Sequence, residues 1–307
     1  MLRNWRTKGV LQKLLASIPG GTLINDELQR TVGELRNFEA SVDSKVVDDW
    51  IVLLRHMLEL GLSPADRDYL EVGTGWLPIL PVCFSLIGAR SIKTYDQYRH
   101  LNSRMAFHMI RRLRVHLQLI AETAGIPLST IETAYAQLCA ATNLNDLLRA
   151  ARIEYLAPSD ASRTKLSDGC IDVVFSNSVL EHVEPETIDA IMGESRRILR
   201  PGGVAIHSVN CGDHYAYFDH GITAINYLQY SEGKWAFWNN RLLYQNRLRP
   251  GDFLRSAENA GLSIILCRRN TRRDLLEALP KLGIAPEFQR YALEDLCCTS
   301  IDFVAQK

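Results

Sequence analysis

The sequence has no excess of charge of either sign, since 35 Lys and Arg residues balance 35 Asp and Glu residues. A chain without a positive field has little means of holding a polyanion by counterion release, which excludes nucleic acid as the expected partner. It also lacks any apolar run near the roughly 18 residues that a spanning helix needs. With no signal-peptide h-region or cleavage site at the N-terminus, a cytoplasmic protein is expected. The seven cysteines (Cys83, Cys139, Cys170, Cys211, Cys267, Cys297, Cys298) include no CxxC pair. That excludes zinc-ligand spacing and points to reduced thiols. Internal repeats and low-complexity segments are missing as well.

What is present is a chain of 307 residues, 47% hydrophobic, long enough to bury a three-layer core. We expect an N-terminal helical cap over residues 1–62 and one main domain over 63–307. Residues 2–18 form a basic amphipathic stretch, with Leu2, Trp5, Leu11, Leu14, Leu15 and Ile18 among Arg3, Arg6, Lys8 and Lys13. Weak contact with a membrane surface is one reading of it, and packing on its own domain is the commoner one. After a turn at Pro19 to Gly21, a helix is predicted over Ser44 to Leu60 with Val47, Ile51, Leu54 and Leu58 on its apolar face and Gly61 as its stop.

Tyr69 to Val72 then reads as a strand entering the turn Gly73-Thr74-Gly75, with Pro78 at the first turn of a helix. Further strands are expected near Ile92 to Tyr95, Ile153 to Leu156, Ile171 to Ser176, Val204 to Val209, Ser263 to Cys267 and Thr299 to Val304. Their alternation with helices predicts an α/β, doubly wound, mostly parallel seven-stranded sheet. Two stretches exceed ordinary connections. Residues 99–150 read as a helical insertion after strand two, with Leu101, Met105, Met109, Leu113 and Leu117 at i, i+4 spacing and a capping box at Ser129 to Glu132. Residues 211–250 read as a lid over the acceptor, dense in aromatics from Tyr215 to Tyr244.

An acid followed by Gly-x-Gly, as in Glu71 to Gly75, lets backbone approach a ligand beside a helix N-terminus. The third glycine of a dinucleotide fingerprint is missing, because Leu77 and Pro78 follow. That counts against a pyrophosphate ligand. About 20 residues beyond the turn, Asp96 ends the second strand, where a carboxylate can accept both hydroxyls of a ribose.

These segments resemble the class I, Rossmann-like S-adenosylmethionine-dependent methyltransferases, of the type 11 kind. Tyr69 to Trp76 resembles their first motif, Asp96-Gln97 the second and Asp160-Ala161 the acidic motif after strand three. Leu166 to Asn177 resembles their fourth strand, and Ser178 to Val183 and Ile198 to Gly203 resemble the segments that follow. The resemblance implies S-adenosylmethionine as cofactor. It puts Glu71 near the methionine amino group, Gly73, Thr74, Gly75, Trp76 and Gln97 beside the ligand, and Asp96 on the ribose. Asp160 with Ala161 would meet the adenine, and Asn177 with Ser178 would lie by the sulfonium.

The Asn/Asp-Pro-Pro-Tyr segment of many base and glutamine N-methyltransferases is replaced here by Asn177-Ser178-Val179-Leu180, which favours an alcohol acceptor and hence a general base. Candidates at the C-terminal sheet edge are His182, His207, Asp213, His214, Asp219 and His220. His214 held by Asp213 is the expected base, with His182 second. Some related O-methyltransferases bind Mg²⁺ through Glu-x-x-Glu-His; Ser178 replaces the first glutamate, so no metal is expected, and one built on Glu181 and His182 would need further ligands. His100, His108 and His116 are spaced about 12 Å apart on a helix and cannot share an ion. Arg111, Arg112 and Arg114 are phosphate ligands or a solvated face. Aromatics interleaved with Asn226, Asn239, Asn240, Asn246 and Arg247 suit a glycan, or else form the core of the lid. Residues Asp213 to Arg249, and a Leu-Pro-Gly-Gly-like start before Leu28-Gln29, resemble bacterial methyltransferases of polysaccharide and surface-glycan pathways. Sugar O-methylation is therefore the expected reaction, with metal-assisted or N-methylation of another small molecule, or a non-catalytic partner subunit of the same fold, as the alternatives, and a homo-oligomer is compatible with it.

Overall fold

The computed structural model describes residues 4–18, 37–240, 242 and 244–307. Seven strands form one sheet: β1 (Asp68–Val72), β2 (Ser91–Tyr95), β3 (Ile153–Leu156), β4 (Ile171–Asn177), β5 (Leu199–Asn210), β6 (Ser263–Thr271) and β7 (Cys298–Gln306), in the order β3-β2-β1-β4-β5-β7-β6. The first five are parallel, and β7 lies antiparallel between β5 and β6. Central strands such as β1 and β4 are buried over most of their length because helices cover both faces. The expected sheet is observed, with β5 starting at Leu199 rather than Val204 and β6 running to Thr271. Connections leave β1 toward β2 and leave β4 toward β5 on opposite sides, so a crevice opens at the C-terminal ends of β1 and β4.

The helix expected over Ser44 to Leu60 starts earlier and changes winding, as Phe38–Ser44, a π-helical turn Lys45–Trp50, and Ile51–Glu59. The wider turn shifts the helical phase. Val42, Val46, Trp50, Leu54 and Met57 are consequently buried, whereas Val47 and Leu58, expected on the apolar face, are exposed. These helices share one core with Tyr69 and Phe175 of the sheet and with Phe84 of the helix Ile79–Leu86. Among the described residues no helix is long and apolar enough to cross a membrane.

The insertion forms the helices Ser103–Leu113, Leu117–Ala124, Leu128–Cys139 and Leu144–Ala150, burying Met109, Leu113 and Leu117 as expected. The expected capping box does not form, because the helix already starts at Leu128 after Pro127, leaving Ser129 inside it. Arg112 binds Asp43 and Glu39, and His116 binds Asp43 at 2.7 Å, tying the insertion to the N-terminal helices. His108 stacks on Phe38 and His100 faces Trp76, so the three histidines serve three separate contacts.

Helix α1 (Trp5–Ser17) is capped by Asn4, whose Oδ1 accepts from the N–H groups of Arg6 and Thr7. Trp5 is buried against Tyr215, Tyr230 and Trp238, while Val10, Leu11, Leu14 and Ile18 are exposed. Leu2, Arg3, the turn at Pro19 to Gly21 and Leu28-Gln29 lie outside the described residues.

Candidate active site

At the mouth of the crevice β1 delivers Glu71, and the chain then turns on Gly73 and Gly75 with φ of +82° and +65°. A Cβ on Gly73 would lie 2.5 Å from Val179 Cγ2, so the close approach of the loop after β4 requires glycine there. Asp96 is oriented across this turn: its Oδ2 accepts from the Gly75 N–H at 2.8 Å and its Oδ1 from the Tyr98 N–H at 2.9 Å. Trp76 packs its ring on His100, Thr74 is buried with Oγ1 unpartnered, and Gln97 is exposed. Burial, then the charge of Asp96, holds the Glu71 carboxyl well above the usual carboxylate range. Its Oε2 is buried without a partner among the described residues. An acid in that state is ready for a cationic ligand.

Asp160, after β3, is exposed and accepts from the Ser162 N–H and Oγ beside half-buried Ala161. Asn177 ends β4, its Oδ1 accepting from Lys45 Nζ at 2.8 Å. Ser178 follows at φ 54°, its N–H donating to the Ser208 carbonyl at 2.9 Å. Lys45 carries no sequence signal for such a role. It reaches the crevice from the π-helical turn, and its charge acts on Glu71 and Glu181 alike.

The pairing of Asp213 with His214 does not form. The Asp213 carboxylate accepts from the Tyr215 N–H at 2.9 Å and from Asn226 Nδ2 at 3.2 Å, capping the turn His214–Tyr217 from the wrong side to reach the imidazole. His214 instead faces His182, with ring centroids 4.9 Å apart. One ligand-type atom from each of Glu181, His182 and His214 lies within 4.8 Å of the others.

Three consecutive residues assemble this cluster. The Tyr244 carbonyl accepts from His182 Nδ1 at 2.7 Å, and Gln245 Oε1 accepts from the His214 backbone N–H at 3.1 Å. Asn246 Nδ2 donates to the carbonyls of Leu180 and Val183, and its own N–H donates to the Glu181 carbonyl. With Nδ1 protonated toward a carbonyl, neutral His182 keeps its Nε2 lone pair free.

Glu181 is 1% exposed, and neither carboxylate oxygen has a well-formed hydrogen bond among the described residues. Burial pushes its pKa up to about 8, partly offset by the backbone N–H groups of Glu181 and Asn210. His214 Nε2 is buried and unpartnered, and burial lowers that ring to about 3. His182 presents an edge to solvent, yet burial of the rest of its ring lowers its pKa, partly offset by its bond to the Tyr244 carbonyl.

Of the other candidate bases, His207 and Asp219 have structural partners. His207 is fully buried, with Nδ1 2.7 Å from Ser176 Oγ. Asp219 accepts from the Trp5 and Gly221 N–H groups, and His220 is exposed. In the segment 211–250 the interleaved polar side chains are engaged internally. Asn239 bonds Gln245, Asn240 bonds the Leu242 N–H, and Arg247 bonds the Tyr227 and Tyr230 carbonyls and Glu232. Trp235, Tyr215 and Tyr227 form a core with Trp5, Leu275 and Leu279. This stretch is therefore largely its own core; Tyr217, Phe218 and Phe237 remain exposed. A hollow lined by Arg67, Asp172, Arg200 and Gly203 lies at the opposite end of the sheet, where Arg200 bridges Asp68 and Asp172.

Residues 112–207 match the family model described as a methyltransferase domain, a span that holds β3 and β4 but stops short of the Glu71 to Gly75 turn. No curated protein matches the sequence. Among solved structures, the chain is similar to an S-adenosylmethionine-dependent methyltransferase from Mesorhizobium loti, at 16% identity over 83% of this chain and 95% of the other, with a TM-score of 0.44. It is also similar to the geranyl diphosphate C-methyltransferase of Streptomyces coelicolor A3(2), at 13% identity over 87% of this chain and 82% of the other, with a TM-score of 0.46. Residues 112–207 are thus similar in sequence to a methyltransferase domain and lie in one sheet with β1 and β2.

Proposed function

We propose that this protein transfers a methyl group from S-adenosylmethionine to a hydroxyl of a small molecule, a sugar or glycan being the leading acceptor class. The observation that carries the cofactor is the buried Glu71 carboxyl, its Oε2 without a partner among the described residues, beside the Gly73–Gly75 turn and Asp96. Glu71 would hold the cofactor's ammonium, Asp96 its ribose and Asp160 its adenine, with Asn177 and Ser178 beside the sulfonium. When bound, the cofactor supplies a methyl whose bond to sulfur breaks as an acceptor oxygen lone pair forms the new C–O bond, the S–C electron pair staying on sulfur.

The chain's own task is alignment and removal of the acceptor's proton. Glu181 and His182 stand a few residues beyond Asn177 and Ser178, His214 meets them from the loop after β5, and the charge of Lys45 acts on Glu181. Burial raises Glu181 to about 8 and lowers His214 to about 3, so His182, with its Nε2 lone pair free, replaces the Asp213–His214 pair as the group that takes that proton. A sugar acceptor is supported by exposed Tyr217, whose ring centroid is 5.5 Å from that of His214, offering a flat apolar face beside polar groups. The neutral charge balance supports a non-nucleic-acid acceptor.

Isothermal titration with S-adenosylmethionine tests the cofactor, and absence of binding at millimolar ligand would end this reading. Labelled methyl transfer into sugar nucleotides and oligosaccharides tests the acceptor. In the active pair, His182→Asn should cut turnover by about 10² to 10⁴ while cofactor affinity persists. Full turnover in both His182→Asn and His214→Asn would point instead to an amine or thiolate acceptor, which needs no such base.

A further inference from the structure

We infer that Glu181, His182 and His214 form a binding site for one divalent transition-type cation, Zn²⁺, Mn²⁺ or Co²⁺ in preference to Mg²⁺. Three observations converge. The ligand-type atoms lie within 4.8 Å of one another, close to the separation of about 3 to 4 Å that ligands at roughly 2.1 Å from a shared ion would have. Two of the three residues are at least nine-tenths buried and hold unpartnered polar atoms, Glu181 Oε1 and Oε2 and His214 Nε2. A buried carboxylate and a buried imidazole with nothing to bind are costly unless something outside the chain satisfies them.

The surroundings also suit a metal. The Tyr244 carbonyl takes the Nδ1 proton of His182, which presents Nε2 and orients the ring, as outer partners do for metal-ligating histidines. Gln245 and Asn246 hold the two loops from behind. Two imidazoles and one carboxylate form a donor set for borderline cations, whereas Mg²⁺ prefers oxygens throughout. Three protein ligands leave positions open for a hydroxyl or water. The site rests on the methyltransferase reading only for its use, since an acceptor hydroxyl on such an ion would release its proton to water nearer neutrality.

The test uses the full chain stripped by chelator and dialysed, then titrated with CoCl₂ and followed by its visible d–d absorption, with metal content read by mass spectrometry after loading with Zn²⁺. One ion per chain is expected. Glu181→Gln, His182→Asn and His214→Asn should each weaken Co²⁺ binding by at least about tenfold, and Mg²⁺ should compete poorly. Thermal unfolding and S-adenosylhomocysteine binding of the stripped variants confirm that the fold survives and keep this question separate from cofactor recognition. Sub-stoichiometric uptake, affinity unaltered in all three variants, or a preference for Mg²⁺ would overturn the assignment.

Discussion

The rings of His182 and His214 face each other at 4.9 Å between centroids, although one stands after β4 and the other after β5. Their meeting depends on a third segment, Tyr244 to Asn246, that hydrogen-bonds to both loops. The pair is thus a product of packing between three connections at the same edge of the sheet.

Asn246→Ala should expose this dependence. It removes two side-chain hydrogen bonds to the turn carrying Glu181 and His182 and leaves the Leu180 carbonyl short of a buried partner. Stability should fall by about 1 to 3 kcal/mol in denaturant titrations. Turnover should drop while cofactor affinity in calorimetry stays near wild type.

Asp96→Ala should weaken S-adenosylmethionine binding by about 1.5 to 3 kcal/mol, the scale of charge-assisted hydrogen bonds left unmade. The same change releases the Gly75 N–H that Asp96 now orients. Unaltered affinity in isothermal titration would remove Asp96 from the ribose.

Gly73→Ala puts a methyl 2.5 Å from Val179 Cγ2 at a φ of +82°. The variant should lose about 1 to 3 kcal/mol of stability from backbone strain and the clash. Adding Val179→Ala should restore the part due to the clash and leave the φ penalty, a split that paired melting curves can measure.

The buried ring of His207 governs a pH dependence. Burial lowers its folded pKa to about 3 from an ordinary 6.5, so below pH 6.5 the unfolded chain binds a proton that the native chain refuses. Stability contributed by this group is therefore complete above the unfolded pKa and falls with acidification at about 1.4 kcal/mol per pH unit until the folded pKa is reached. Between pH 7.5 and pH 5 the wild type should lose about 2 kcal/mol through His207. His207→Gln should show a correspondingly shallower profile in urea titrations at the two pH values.

The alternation of apolar strands with helices, the Glu71 to Gly75 turn and the acid ending β2 are all local patterns, and they were legible because a strand, a tight turn and a helix start each depend on near neighbours in the chain. The burial of β1 and β4 shows in the same way, in the short apolar stretches Tyr69-Leu70 and Val173 to Phe175. The phase of the helix through Lys45 to Trp50 was not legible, because the π-helical turn answers to packing against Phe84 and the sheet rather than to local periodicity.

The site chemistry divides along the same line. Adjacency in sequence suggested that Asp213 holds His214, but a carboxylate at a turn's start is drawn to the free N–H groups there, and Asp213 caps the turn instead. Adjacency also left Glu181 and His182 without His214, the third member of their cluster. The sequence by itself determined the strands, the glycine turn and which acidic residues end up at the sheet's C-terminal edge, since those follow from short-range sterics and hydrophobic pattern. Only the tertiary structure decided that Lys45, Tyr244, Gln245 and Asn246 converge on that edge and that His182 meets His214, because hydrogen bonds between distant segments depend on how loops cross in space, which no local spacing encodes.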